Sequence, residues 1–306
     1  MADPAINAVP AHPHQGLSPN VRGALWMLLS AVTFTAMTSL IKLLGADYPA
    51  SLQTFYRQAA GLVILLPWIL RNPVRAFATT RPAILIFRAG AGTVGLIMQF
   101  YAFQKMPLAD ANALSFTRTL WLVPLAAFML REKVGPQRIA AAVVGFAGVL
   151  LMVRPSGAGG FGAPQICMLA SSLLFAFTVT GMKALTKDHL PSTLLYWSAA
   201  LGFVFALPLA LLAWHWPTPR DLFLLCLMGV IATVNQACYI KGMQAGDAAA
   251  MAPMDYTRLV FSAAVGFFAF SEVPKLTTWI GAGIVIASTL YITWREHVIV
   301  SRLRQL

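Results

Sequence analysis

A chain of 306 residues with 58% hydrophobic and only 10% charged residues lacks the charge to coat a soluble surface, which ordinarily takes about 25%. An ordinary cytosolic enzyme, a disulfide scaffold, a coiled coil and a disordered tail are thereby excluded, which leaves a polytopic membrane protein. The net charge of +12 by itself suggests nucleic acid or an anionic surface, so the placement of the basic residues decides its meaning.

In chain order, residues 1–21 are polar, carry Pro4, Pro10, Pro13 and Pro19, and lack the basic and apolar regions of a signal peptide. They are expected to form a disordered cytoplasmic tail. A helix needs about 20 apolar residues to cross a bilayer core. Ten stretches qualify: 22–43, 50–70, 82–104, 108–130, 136–153, 163–186, 191–213, 220–243, 247–270 and 276–295. Connections are short and punctuated at Pro49, Pro73, Pro82, Pro107, Pro136 and Pro217. The Gly-rich stretch 156–162 reads as a linker between halves 22–155 and 163–295, and 296–306 as a second cytoplasmic tail. Cys167, Cys226 and Cys238 lie in apolar segments without metal-type spacing. No metal, cofactor or catalytic group is expected.

Thirteen of the 22 Lys and Arg fall on one side of this plan and five on the other, and Arg57, Arg88, Arg118 and Arg258 fall inside spans. Lys and Arg accumulate in cytoplasmic loops. Both termini are therefore expected in the cytoplasm. The +12 is mostly topology against a lipid bilayer, with no nucleic acid implied.

The halves match each other. At an offset of 141 the pairs include Met27/Met168, Ser30/Ser171, Phe34/Phe175, Lys42/Lys183, Gly61/Gly202 and Pro67/Pro208. The offset is 137 at Gln99/Gln236, Met106/Met243 and Asp110/Asp247, and 140 at Thr117/Thr257, Arg118/Arg258 and Glu132/Glu272. Five spans per copy is an odd number, so the second copy sits upside down relative to the first. The expected fold is an all-α membrane protein: ten transmembrane helices as two inverted five-helix repeats. Inverted repeats carry the substrate site of many transporters near mid-membrane, at the repeat interface.

Charged side chains inside the bilayer face a cavity, a partner or water. Arg57 and Arg88 stand near span ends, where either can snorkel to the interface. Arg118 and Arg258 lie deeper and are repeat equivalents. Asp255, three residues from Arg258, is the acid at comparable depth. It either pairs internally with Arg258 or adds an anionic group to a cavity suited to a zwitterion. Candidate substrate-binding residues are Arg118, Arg258, Asp255, Arg88, Gln99, Tyr101, Asn235, Gln236, Tyr239, Tyr56, Trp197 and Thr33. Pro124 and Pro253 are candidate hinges, because proline interrupts the helix ladder. The terminal spans, with Gly145, Gly148, Gly281 and Gly283, read as scaffold. The run Gly90-Ala-Gly-Thr-Val-Gly95 matches a dinucleotide fingerprint but sits within an apolar span without the strand that motif requires. No Walker A motif is present, so no intrinsic P-loop ATPase activity is expected.

From Tyr101-Ala-Phe-Gln-Lys-Met-Pro-Leu-Ala-Asp-Ala111 through Pro124 to Leu130-Arg-Glu-Lys-Val134, with Gly145 and Gly148, the sequence resembles the EamA-type repeat of the drug/metabolite transporter superfamily. The likeness covers 20–295 in two copies; the second copy has Ala264 where the first has Pro124. It implies a ten-helix basket around a cavity lined by spans 1, 3, 4, 6, 8 and 9. It also implies alternating access, a monomer without an ATPase subunit, and the bacterial inner membrane. Within that superfamily the chain is similar to exporters of amino acids and other metabolites. The expected activity is export of a small amphipathic, zwitterionic cargo, amino acids first (aromatic ones included). Alternatives are S-adenosylmethionine, an organic cation or a nucleotide sugar, or a membrane enzyme.

Overall fold

A computed structural model describes residues 19–73, 77–129, 135–153, 162–185, 191–245, 251 and 254–303. The hinge candidate Pro253, residues 1–18 of the expected tail and residues 156–161 of the expected linker lie outside the described residues. Every element among the described residues is helical: α1 (Pro19–Leu43), α2 (Ala50–Arg71), α3 (Pro82–Lys105), α4 (Leu108–Ser115), α5 (Thr117–Met129), α6 (Pro136–Val153), α7 (Ala163–Leu185), α8 (Pro191–Leu211), α9 (Pro219–Ala245), α10 (Thr257–Phe270) and α11 (Leu276–Leu303). Proline occupies the first position of α3, α6, α8 and α9, where its missing N–H is no loss and its fixed φ is already helical. The last helix runs past residue 295, where a tail was expected, because 284–303 contains neither glycine nor proline.

The ten spans are α1, α2, α3, the broken pair α4–α5, α6, α7, α8, α9, α10 and α11. The packing repeats when the two halves are exchanged. The pair α1 with α9 has its image in α7 with α3; α2 with α9 in α8 with α3; and α1 with α10 in α7 with α5. Helices α2 and α8 pack on each other, as do α6 and α11. That is an inverted two-fold arrangement of five-helix units.

Glycines set the closest approaches. A Cβ on Gly148 would stand 2.9 Å from the carbonyl oxygen of Gly281 and 2.9 Å from Ile284 Cβ, so α6 and α11 meet nearly backbone to backbone. The Gly90–Gly95 run is a packing stripe. A Cβ on Gly95 would meet Leu174 on α7 at 3.3 Å, and one on Gly90 would meet Phe205 on α8 at 3.7 Å.

Fully buried side chains concentrate at the end where α1 turns into α2: Ile41, Leu52, Phe100, Phe103 and Leu108. Polar bonds tie the same end. Lys42 forms an ion pair with Glu272, and its Nζ donates to Met106 O at 2.6 Å. The Leu108 N–H donates to Glu272 Oε2 at 2.8 Å. Glu272 is presented by Ser271, whose φ of 55° ends α10 in the left-handed region. Beside them Tyr48 donates its hydroxyl to Asp221 at 2.9 Å; burial, and then Asp221, push its pKa above the usual phenol value.

Gly148→Val is expected to lower the melting temperature of the detergent-purified protein by several degrees, because overpacking a filled seam costs about 1–3 kcal/mol. Gly283→Ala, whose Cβ would meet nothing within 4 Å, should leave it unchanged. Equal melting for both variants would contradict the seam.

Candidate functional site

Spans 4 and 9 are interrupted near mid-length. Phe116 stands in a turn between α4 and α5, and Tyr256 in a turn immediately before α10. Both turns tighten to three-residue bonding. The Phe116 N–H donates to Ala113 O at 3.3 Å, the Thr119 N–H to Phe116 O at 3.1 Å, and the Leu259 N–H to Tyr256 O at 3.0 Å. Each interruption carries the same support. The Thr117 hydroxyl donates to Leu114 O at 2.7 Å, and its repeat equivalent Thr257 to Met254 O at 2.6 Å, which gives a carbonyl beside the break a side-chain donor. The discontinuity in span 4 is thus at Phe116. Pro124, the expected hinge, lies within α5 and does not end it.

The two-fold brings the interruptions face to face. The Phe116 and Tyr256 rings meet edge to face, with centroids 4.7 Å apart. The Arg258 guanidinium carbon stands 4.3 Å from the Phe116 centroid and 4.9 Å from that of Phe34. Its Nη2 donates to Ser115 Oγ at 3.3 Å and lies 3.7 Å from Asp255 Oδ2. Arg258 is only 9% exposed, and its Nε has no partner. The internal pair weighed from the sequence therefore exists, as a loose contact reinforced by two aromatic faces.

Two adjoining cavities share Ser115, Arg118 and Arg258. The smaller, about 200 Å³, is also lined by Phe116, Tyr239, Asp255 and Tyr256. The larger, about 560 Å³, receives residues from every span except the terminal helices α6 and α11. Spans 2 and 7 thus contribute beyond the six implied by resemblance. Gln99, Asn235, Gln236 and Arg88 line it, together with Arg57 and Gln58. Arg88 bridges three spans: its Nη1 donates to Ser198 Oγ at 2.7 Å and its Nε to Thr178 O at 3.3 Å. Arg57 donates to Gln58 Oε1 at 3.0 Å, and its Nε is buried without a partner. Asn235 has a second task, donating to Ser30 O at 2.6 Å and so tying α9 to α1.

Four candidates lie elsewhere. Thr33 lines neither cavity; its hydroxyl donates to Leu29 O at 2.8 Å and accepts from Asn235 Nδ2 at 3.3 Å. Tyr101 packs on the buried core. Tyr56 belongs to a ring cluster, 5.5 Å from Phe55 and 6.1 Å from Trp214. Trp197 packs against Leu85 and Leu194 and crosses Phe77 at 5.5 Å. The physical reason is common to them: depth in a span does not say which face of a helix turns inward. Conversely, Phe34, Phe116, Tyr256 and Ser198 escaped the sequence reading. Phe116 and Tyr256 directly precede the paired Thr-Arg dipeptides, and that position was the available signal. Among the described residues no group of three or more His, Cys, Asp or Glu could hold a metal.

A family model described as the EamA-like transporter family matches residues 21–154 and again 163–294. An S-adenosylmethionine uptake transporter of Rickettsia prowazekii (strain Madrid E) is 30% identical, over 92% of this chain and 96% of its own. A riboflavin transporter of Vibrio cholerae is 26% identical over 90% and 94%. A pseudopaline exporter of Pseudomonas aeruginosa is 26% identical over 88% and 94%. A solved crystal structure superposes with a TM-score of 0.60 at 19% identity, covering 92% of this chain and 98% of its own, and shares the fold.

Asp255→Asn and Arg258→Met should each lower the melting temperature, and the double variant should recover part of the loss. Contacting charges couple by about 0.5–3 kcal/mol. Strictly additive losses would show that the 3.7 Å contact carries no coupling.

Proposed function

Because the chain belongs to the EamA-like transporter family, we propose that it is a secondary transporter or facilitator exporting small amphipathic metabolites that carry an amino-acid group. Amino acids are the first candidates. The observation that carries this reading is the smaller cavity, where Arg118 and Asp255 line one space with the rings of Phe116, Tyr239 and Tyr256. A carboxylate finds a guanidinium there, an ammonium finds Asp255, and an apolar body finds aromatic faces. Binding groups of both signs at mid-span, between inverted repeats, is how such a fold exposes one site to either face.

The packed end with the Lys42–Glu272 ion pair supports alternating access. On the charge bias that end faces outward, so the arrangement is a state closed to the outside. Release of cargo requires the Lys42, Met106, Leu108 and Glu272 contacts to part. Opening and closing then become a contest between this closure and its counterpart at the other end, biased by whichever state holds cargo more tightly. The chain works in the bacterial inner membrane with cytoplasmic termini, as a monomer.

A second reading has specific support: relatives of 30% identity are named S-adenosylmethionine uptake transporters. That compound shares the amino-acid group but adds a sulfonium charge, which the neighbouring arginines oppose.

In proteoliposomes preloaded with unlabelled amino acid, the purified protein should drive counterflow of the labelled amino acid, with competition by excess unlabelled amino acid. Counterflow of labelled S-adenosylmethionine in vesicles preloaded with that compound, with no amino acid exchanged, would transfer the reading to that cargo. Absence of any displaceable exchange would overturn both. Lys42→Glu and Glu272→Lys should each slow exchange severalfold, and the charge-swapped double variant should restore much of it. Unaltered exchange in the single variants would remove the ion pair from the transport cycle.

A further inference from the structure

The larger cavity has an unusual charge composition for a space among apolar helices. Arg57, Arg88, Arg118 and Arg258 all line it, and among the described residues no Asp or Glu does. Asp255 stands in the adjoining space and is engaged with Arg258 at 3.7 Å. Three guanidinium charges therefore lack a carboxylate counterpart within ion-pair distance among the described residues. Like charges lining one cavity among apolar helices repel. An anionic occupant offsets that repulsion directly.

The arginines are also held at separate places. Arg118 and Arg258 sit at the interruptions, where the two cavities adjoin. Arg88 is positioned by Ser198 Oγ and Thr178 O, which fix its guanidinium across α3, α7 and α8. Arg57 is oriented by Gln58 and leaves a buried Nε with no acceptor. Arg57 and Arg88 thus place two further guanidiniums on the wall of the larger cavity, where an anion can reach them.

Building on the amino-acid reading above, we infer that the cargo is an acidic amino-acid-type metabolite. Its amino-acid group sits at Arg118 and Asp255, and a second anionic group, carboxylate or phosphate, reaches Arg57 and Arg88 in the larger cavity. Charge-assisted hydrogen bonds to fixed guanidiniums supply the preference for that second anion.

Ligand binding to the detergent-purified full chain tests this, read as the concentration dependence of its melting temperature. The ladder is glutamine, glutamate, 2-aminopimelate and O-phosphoserine. Glutamate or 2-aminopimelate should bind about tenfold or more tightly than glutamine if the second group is a carboxylate, and O-phosphoserine should do so if it is a phosphate. Arg57→Gln and Arg88→Gln should bring that ratio close to one, while Arg57→Lys and Arg88→Lys, which keep the charge, should retain part of it. A ratio near one for every acidic ligand in the wild-type chain, or a preference that survives both Gln variants, overturns the inference. The ladder separates it from the transport reading. A graded preference without counterflow refutes transport and keeps the site, whereas counterflow with a flat ladder refutes the second anion site alone.

Discussion

The arrangement on which the rest depends is the meeting of two interrupted helices at the centre of the bundle, with Arg258 held between the rings of Phe34 and Phe116. A guanidinium is tolerable there only because several weak compensations coincide. These are two aromatic faces, a hydroxyl from Ser115 and the carboxylate of Asp255. The interruptions supply this. An unbroken helix would run past the centre with its backbone groups satisfied internally; a three-residue turn redirects Phe116 and Tyr256 toward each other and lets Ser115 face across. The paired Thr117 and Thr257 bonds give both turns the same side-chain support.

Around that centre the molecule divides into a packed end and a hollow middle. Ile41, Leu52, Phe100, Phe103 and Leu108 close one end, with the Lys42–Glu272 pair among them. The terminal helices α6 and α11 face neither cavity and hold each other through Gly148 and Gly281. That division of labour leaves the other eight spans available to move about the cavity while one seam stays intact. A seam with backbone nearly touching backbone resists sliding, because interiors at close-packed density do not deform continuously.

Much of this was legible in one sequence. The ten spans follow from the length an apolar helix needs in a bilayer, and the inversion follows from an odd number of spans per copy. The Lys42/Lys183, Arg118/Arg258 and Glu132/Glu272 pairings carry the repeat because polar residues are scarce in such chains, so their coincidence in order is informative. The depth of Arg118 and Arg258 marked the centre, and both line the two cavities. The aromatic and amide residues divide between two environments. Gln99, Asn235, Gln236 and Tyr239 turn to the cavities, while Tyr56, Tyr101 and Trp197 turn to packing. In a helix apolar on every side, periodicity does not separate inward from outward faces, so depth along a span is readable from the sequence and orientation is not.

What the sequence determined by itself is one-dimensional: how many times the chain crosses, which stretches correspond, and at what depth each charge lies. Hydrophobic length and charge placement set these without reference to neighbours. Tertiary structure alone decided which side chains share a space. Arg57, able on sequence grounds to snorkel away, lines the cavity because α2 packs between α8 and α9. The break in span 4 lies at Phe116 and not at Pro124, because the place where two inverted helices confront each other is a property of the pair. Neighbours from the opposite repeat, more than a hundred residues away in the chain, supply the other half of each contact.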